Sequence, residues 1–225
     1  MTQKRKQSDT NRSRPRQSIQ LSRLRPTQLS VGMREVKLKR RRLRKLERQP
    51  VELVNFILEM PIRVVLGPAN KVYVIDHHHL ALALRREKFE SAPMEIDADF
   101  SRLMPRAFWK KMQAKGFLHL VNAKGAPKPL SRLPRRLEDL KDDPYRSLAG
   151  FVRAAGGYQK TSEPFAEFKW ADFFRTQIGA KSIHNRFTRC VKKAVRLARS
   201  ASAAKLPGYL GPSRKEKLPT KRIRR

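Results

Sequence analysis

The stretch VYVIDHHHLALAL, residues 72–84, decides how this chain folds. Its first residues alternate in the period-two pattern of a strand, and the Ala/Leu-rich run from Leu80 onward reads as a helix. Between them stand Asp76, His77, His78 and His79, which include three of the chain's five histidines. A strand that turns into a helix within a few residues brings the unpartnered N–H groups of the helix's first turn to the junction. Asp76 reads as the N-cap, since its carboxylate can accept those N–H groups. The same amides and the helix dipole suit an anion, and imidazoles beside them would add donors.

Working outward, IRVVL (62–66) and KVYVI (71–75) flank GPAN (67–70), whose Gly, Pro and Asn are turn formers, so the set reads as a hairpin. Before it, REVKLKRRRLRKLER (34–48) is rich in helix formers. Met33, Val36, Leu43 and Leu46 make one apolar stripe there and Lys/Arg fill the other faces. Pro50 fits the first turn of a second helix, VELVNFILE (51–59), which stops before Pro61. Past Ser91 the pattern predicts a helix within 99–116, a short strand at FLHLV (117–121), a Pro-rich loop, and three helical stretches at 144–156, 163–178 and 185–206. In the second of these, Phe165, Phe168, Trp170, Phe173 and Phe174 cover most of the circumference, which predicts burial among neighbours. The expected class is α+β: a small α/β domain over 26–98 and a mainly helical region over 99–204 packed on it. A polar basic arm (1–25) and a basic tail (205–225) complete the division.

Charge is the extreme property. The 225 residues hold 53 Lys+Arg against 19 Asp+Glu, a net +34, and the excess is concentrated toward both ends. Such a chain attracts polyanions, and with nucleic acid the gain is counterion release from phosphates, which predicts salt-sensitive, mostly sequence-independent binding. The helix 34–48 offers Arg40, Arg41, Arg42, Arg44 and Lys45 to a phosphate backbone. Solvated tails without a target are the plainer reading. One cysteine, Cys190, excludes an internal disulfide and a multi-Cys zinc site and suits a reducing compartment. No apolar run approaches the length of a membrane span, and the first residues lack the apolar segment of a secretory signal. The expected location is cytoplasmic, at the nucleoid in a bacterium; an Arg/Ser-rich start would also suit an organellar transit peptide in a eukaryote.

Three readings of the histidine cluster stand side by side. In the first, the junction holds a phosphate. In the second, Asp76 with His78 or His79 holds a metal together with outside ligands, since three adjacent side chains diverge too much to form one facial set. In the third, the rings are structural, packed or bonded to loops. Gln28, Glu35 and Lys39 precede the hairpin and could face the histidines, with Glu35 as general base; Glu35 and Lys39, four apart, equally read as a surface helix pair. Asp142 and Asp143 read as caps for a helix with Pro144 in its first turn. Tyr145 and Arg146 read as a buried tyrosine with a paired arginine, or as lining of a phosphate pocket. Glu163, Glu167 and Asp172 read as the acidic edge of an aromatic core, with Glu167 or Lys169 able to reach a shared cleft.

The order of QLSVG (28–32), EVKLK (35–39), PIRVVL (61–66) and KVYVIDHHHLALAL (71–84) resembles the ParB/sulfiredoxin-like superfamily, whose members end a strand in a DGHHR-type motif before a helix. With DDPYRSLAG (142–150), PFAEFKWADFFR (164–175) and LPGY (206–209), it is most similar to the group of ParB-like nucleases carrying DHHHLA, over about residues 24–210. The resemblance implies a small α/β domain holding nucleotide phosphates at the motif; relatives include CTP-binding chromosome-partitioning proteins, a sulfinic-acid reductase and free-serine kinases. It implies catalytic roles for Glu35, Asp76 and His78, and ligand contacts from Gln28, Lys39, His77, His78 and His79. It also implies metal contacts from Asp76, His78 and His79, with CTP or ATP and Mg as the cofactor. Two positions depart from the motif: His77 stands where glycine is usual, and Leu80 where an arginine would bind phosphate bidentately. No cysteine lies near the motif, which argues against sulfiredoxin chemistry. The function expected is therefore nucleotide or phosphoryl-ligand binding with nucleic-acid association. A metal-dependent nuclease and a non-enzymatic polycation are the alternatives.

Overall fold

The computed structural model describes residues 17–212. The N-terminal half builds a mixed five-stranded sheet in the order β1-β6-β4-β5-β2. Its strands are β1 (Ser18–Gln20), β2 (Leu24–Pro26), β4 (Ile62–Gly67), β5 (Lys71–Val74) and β6 (Ser91–Asp99). β4 and β5 form the expected antiparallel hairpin, with Ala69 and Asn70 of its turn in the left-handed region (φ 55° each). β2 joins β5 in parallel, and β6 lies between β4, parallel, and β1, antiparallel. A second, two-stranded parallel ribbon joins β3 (Ser30–Val31) to β7 (Lys141–Asp142).

Helices α1 (Met33–Leu46) and α3 (His78–Arg86) pack on each other, and α2 (Pro50–Leu58) adjoins α1 and β6. Val36 and Leu43 of α1, Leu80–Leu84 of α3 and Val64, Val72 and Val74 of the sheet form one core. α4 (Pro105–Ala114) packs Phe108 and Met112 against Tyr73 and Val65 of the sheet. A second core belongs to the C-terminal helices α5 (Pro144–Ala154), α6 (Ala166–Gln177), α7 (Ala180–Asn185) and α8 (Phe187–Ala198), with Trp170 and Phe174 fully buried at its centre. The α+β class with a helical C-terminal region is the observed one.

Several boundaries differ from those read in the sequence. The first strand begins at Ser18, so the folded part starts ahead of residue 26. Ile19, Leu21 and Leu24 are buried in the main core, and three apolar side chains among polar ones were enough to anchor a segment that reads as an arm. Residues 1–16 and 213–225, with most of the expected arm and tail, lie outside the described residues. β6 went unread, although Ala92, Met94, Ile96 and Ala98 alternate there. FLHLV makes only isolated bridges, Gln28 to His119 and Val121 to Pro127. The last helical stretch, read as 185–206, is a helix only over α8, and a short helix ahead of it, α7, went unread.

Local chemistry explains how α1 and α5 are joined. Asp143 caps α5 by accepting N–H bonds from Tyr145 (2.9 Å) and Arg146 (3.2 Å), with Pro144 in the first turn as expected. Asp142 instead accepts from Met33 N–H (2.9 Å) and Ser147 Oγ from Arg34 N–H (3.2 Å), so the opening turn of α1 is capped by a neighbouring element. Contact this close needs Gly32: a Cβ there would fall 2.8 Å from the Ser147 backbone.

Candidate functional site: a cleft at the β5–α3 junction

The junction runs from Val74 through Ile75 and Asp76 to α3. His77, not Asp76, occupies the N-cap position, in the left-handed conformation (φ 65°, ψ 25°), and no side chain caps the helix. That conformation is the one glycine adopts freely, and His77 holds it with its Nδ1 2.8 Å from the Pro61 carbonyl. The turn it makes directs the Asp76 carboxylate back onto the His77 N–H (2.6 Å) and away from the helix amides. Among the described residues, the N–H groups of His78, His79 and Leu80 are therefore left without intrahelical or side-chain acceptors.

His78 and His79 are buried and fasten the 27–32 loop to α3. Thr27 N–H donates to His78 Nε2 (3.3 Å), while the Thr27 hydroxyl donates to the Val74 carbonyl (2.6 Å). Gly32 N–H donates to His79 Nε2 (3.0 Å). Each Nε2 is an acceptor, so the ring proton sits on Nδ1. Burial first, then the neighbouring His79, pushes His78 down to about 3. Burial, then Arg146 and Lys39, pushes His79 well below its ordinary value. Both rings are neutral, so His79 Nε2 and Glu35 Oε1, 3.5 Å apart, are not an ion pair. The expectation that these imidazoles serve as donors is corrected at their Nε2 atoms, which accept N–H bonds from the 27–32 loop. Asp76, His78 and His79 also do not converge as a ligand set: among the described residues no group of three or more His, Cys, Asp or Glu side chains could hold a metal ion.

The junction opens into a cleft of about 620 Å³ between the sheet and the α5–α6 layer. Gln28, Glu35, Lys39, Asp76 and all three histidines line it, so the sequence-derived candidates are brought together. Gln28 is buried and donates to the Ser30 carbonyl (2.8 Å). Glu35 does not pair with Lys39; it accepts from Arg146 Nη1 (2.7 Å), because its carboxylate sits in the gap above Gly150, where a Cβ would lie 2.4 Å from it. Arg146 is thus partnered by Glu35, whereas Tyr145 donates to the Ile178 carbonyl (2.7 Å) under Arg175. Lys39 has no ion-pair partner among the described residues. Burial lowers its pKa, with Glu35 opposing and Arg42 and Arg153 reinforcing. For Asp76, burial pushes upward, but the charge and N–H of His77, with His78 and Arg63, win and leave it below the usual carboxylate range.

Arg63, Asp97, Arg153 and Lys160, which the sequence reading passed over, complete the walls together with Arg146 and Glu167, which it had offered as cleft residues. Arg153 pairs with Glu167, and Arg146 reaches Glu167 at 4.0 Å. Arg146 and Arg153, seven apart, share one face of α5, and that spacing was the available signal. Arg63 pairs with Asp97 (Nε to Oδ1, 2.9 Å). Asp97 is the extra residue of a bulge, since Val64 pairs with Ile96 and Val65 with Ala98. Without β6 in hand that bulge was unreadable. Residues 160–165 approach from the α5–α6 connection; the helix read from residue 163 begins only at Ala166, which leaves Glu163 and Phe165 in the loop.

The proposed nucleic-acid residues of α1 are divided. Arg40 and Arg44 are both held by Glu87, the C-cap of α3 (2.5 and 2.7 Å), and Arg42 lies over the Phe56 ring (4.1 Å). All but Arg40 are exposed, and Arg41 and Lys45 are in no ion pair among the described residues.

A mixed sheet whose strand-to-helix junction carries an uncapped first turn into a charged cleft, backed by a helical layer, defines a ParB-like α/β protein. The chain belongs to the family described as "Putative ParB-like nuclease", whose model matches residues 17–176. Among solved structures, it is similar to protein Atu1540 from Agrobacterium tumefaciens, with 39% identity over 88% of this chain and 99% of that one and a TM-score of 0.78. No curated protein matches it. Among the described residues no helix is long and apolar enough to cross a membrane.

Proposed function

We propose that the cleft binds a nucleotide, CTP or ATP, or another phosphorylated small molecule at the Asp76–His79 junction, and that the protein associates with nucleic acid through exposed basic segments. One observation carries the first part: the uncapped first turn of α3 lines the cleft beside Lys39, a half-buried cation in no ion pair among the described residues. A phosphate there would accept from the α3 amides and restore the charge that burial disfavours on Lys39. Lys39, Arg63, Arg146, Arg153 and Lys160 line the cleft together with Glu35, Asp76, Asp97, Glu163 and Glu167. Such a balance of cations and carboxylates suits a small ligand with both charged and hydrogen-bonding parts better than a polyanion. Phe117 and Phe165, both half-buried in the lining, offer apolar faces for a base. Asp76 uses one carboxylate oxygen on His77, which leaves the other for a Mg ion whose shell would come mostly from ligand phosphates and water.

The test is thermal unfolding of the full chain with CTP, ATP or inorganic phosphate, with and without Mg²⁺, for wild type and Lys39→Met. At a hundredfold excess over Kd, binding stabilises by about 2.7 kcal/mol, a rise of roughly 5–10 °C for a protein of this size. The rise should shrink in Lys39→Met. No shift with any of the three compounds would refute the proposal.

A further inference from the structure

We propose that the outer face of α8 is the principal contact for a nucleic-acid phosphate backbone; the inference rests on the nucleic-acid part of the function proposed above and gives it a location. α8 lies beyond the 17–176 segment that defines the family. No acidic residue occurs in the sequence between Asp172 and Glu216. Within that interval α8 exposes Arg189, Lys192, Lys193 and Arg196. At 3.6 residues per turn these four fall within an arc of about 100°. Arg186, exposed at the N-cap, extends the same stripe by one turn.

None of the four is in an ion pair among the described residues; Lys193 alone makes a polar contact, to the Gln177 carbonyl at 3.4 Å. α1 is free of partners only in part, at the exposed Lys37, Arg41 and Lys45, which are in no ion pair among the described residues. Its Arg40 and Arg44 are tied to Glu87, Arg42 covers Phe56, and Glu47 follows at the C-terminal end. Four like charges on one arc repel one another and gain nothing within the fold, whereas they neutralise phosphates of a polyanion and release its counterions. A basic amphipathic helix can also bind an anionic membrane, but only by inserting its apolar face. In α8 that face is spent: Cys190, Ala194 and Ala198 are buried, and Phe187, Val191 and Val195 pack on the same C-terminal core. The helix has charge to offer a partner and no free apolar face, which favours nucleic acid over lipid.

The experiment is fluorescence anisotropy of the full chain on a duplex DNA of about two turns, titrated between 50 and 200 mM salt. It compares wild type, an α8 variant (Arg189→Gln, Lys192→Gln, Lys193→Gln, Arg196→Gln) and an α1 variant (Lys37→Gln, Arg41→Gln, Lys45→Gln). Because the substituted residues are exposed, far-UV circular dichroism should show unchanged folding; the two-residue variant Lys192→Gln, Lys193→Gln gives a milder second reading. Each phosphate contact contributes about 0.9 to the slope of log affinity against log salt. The α8 variant should therefore lose a slope of up to about 3.6 and bind at least tenfold more weakly at the low-salt end, with the α1 variant changed less. A wild type that shows no salt-dependent binding overturns the nucleic-acid reading and this inference together. A wild type that binds while the α8 variant keeps its slope overturns the α8 assignment alone. Binding of all variants to phosphatidylserine vesicles rather than DNA also overturns it.

Discussion

Gly150→Ala tests whether the Glu35 carboxylate is seated by the gap in α5. The new Cβ would lie 2.4 Å from Glu35 Cδ and 2.5 Å from both of its oxygens, well inside contact distance. In an ordinary helix interior the exchange stabilises by about 1 kcal/mol. Here the obstructing atoms end a flexible side chain, so Glu35 can swing away at little steric cost, and the lost ion pair decides the sign. That bond, 2.7 Å from Arg146 Nη1 to Glu35 Oε1, joins side chains only 10% and 17% exposed, so water screens it weakly. A hydrogen bond to a charged group is worth about 1.5–3 kcal/mol. Arg146, whose buried Nε already lacks a partner, would retain only Glu167 at 4.0 Å. The balance is a destabilisation on the order of 1 kcal/mol and at most about 2, a fall in Tm of roughly 2–8 °C. Urea unfolding of wild type, Gly150→Ala, Glu35→Ala and the double variant measures it. With Glu35 truncated, alanine at 150 should be neutral or stabilising, so the two substitutions couple by about 1 kcal/mol or more. Stabilisation by Gly150→Ala alone, or the same loss in both backgrounds, would show that the gap does not serve Glu35.

Two further outcomes are expected. His77→Gly relieves a left-handed residue worth about 1 kcal/mol but loses the contact to Pro61, so it should stay within about 1 kcal/mol of wild type. His77→Val, β-branched at φ 65°, should cost clearly more, and equal midpoints in urea would contradict the strain. Acidification should weaken the fold through the buried rings. The unfolded chain takes up protons near pH 6.5, while His78 resists until about 3 and His79 lies well below its ordinary value. Their contribution is therefore complete above pH 6.5 and is lost as pH falls from there, toward 3 in the case of His78, at up to about 1.4 kcal/mol per pH unit for each ring. Urea midpoints between pH 7 and 4.5 should fall less steeply in His79→Gln; parallel slopes would mean that the ring is not held neutral.

Much of the site's membership was legible in the chain. The Asp-His-His-His run marked the junction because a period-two pattern gives way to an Ala/Leu helix there, and Gln28, Glu35 and Lys39 do reach the same cleft. What the residues did there was less legible. His78 and His79 read as donors to an anion, yet both accept backbone N–H bonds, since a buried imidazole takes whatever partner an adjoining loop presents. Glu35 read as a neighbour of Lys39 from its spacing, yet Gly150 opens room for it beside Arg146, 111 residues away in the chain.

Sequence by itself determined the hairpin, the amphipathic helices, the strand-to-helix turn and the surplus of positive charge, because those follow from side-chain periodicity, local backbone preference and composition. Only the tertiary structure decided which charges are answered and which stay free. Glu87 answers Arg40 and Arg44, Asp97 meets Arg63 through a bulge, and among the described residues α8 keeps Arg189, Lys192, Lys193 and Arg196 without ion pairs. Pairing of charges depends on distances between distant segments and on the gaps small residues leave, and neither is written in the order of residues along one element.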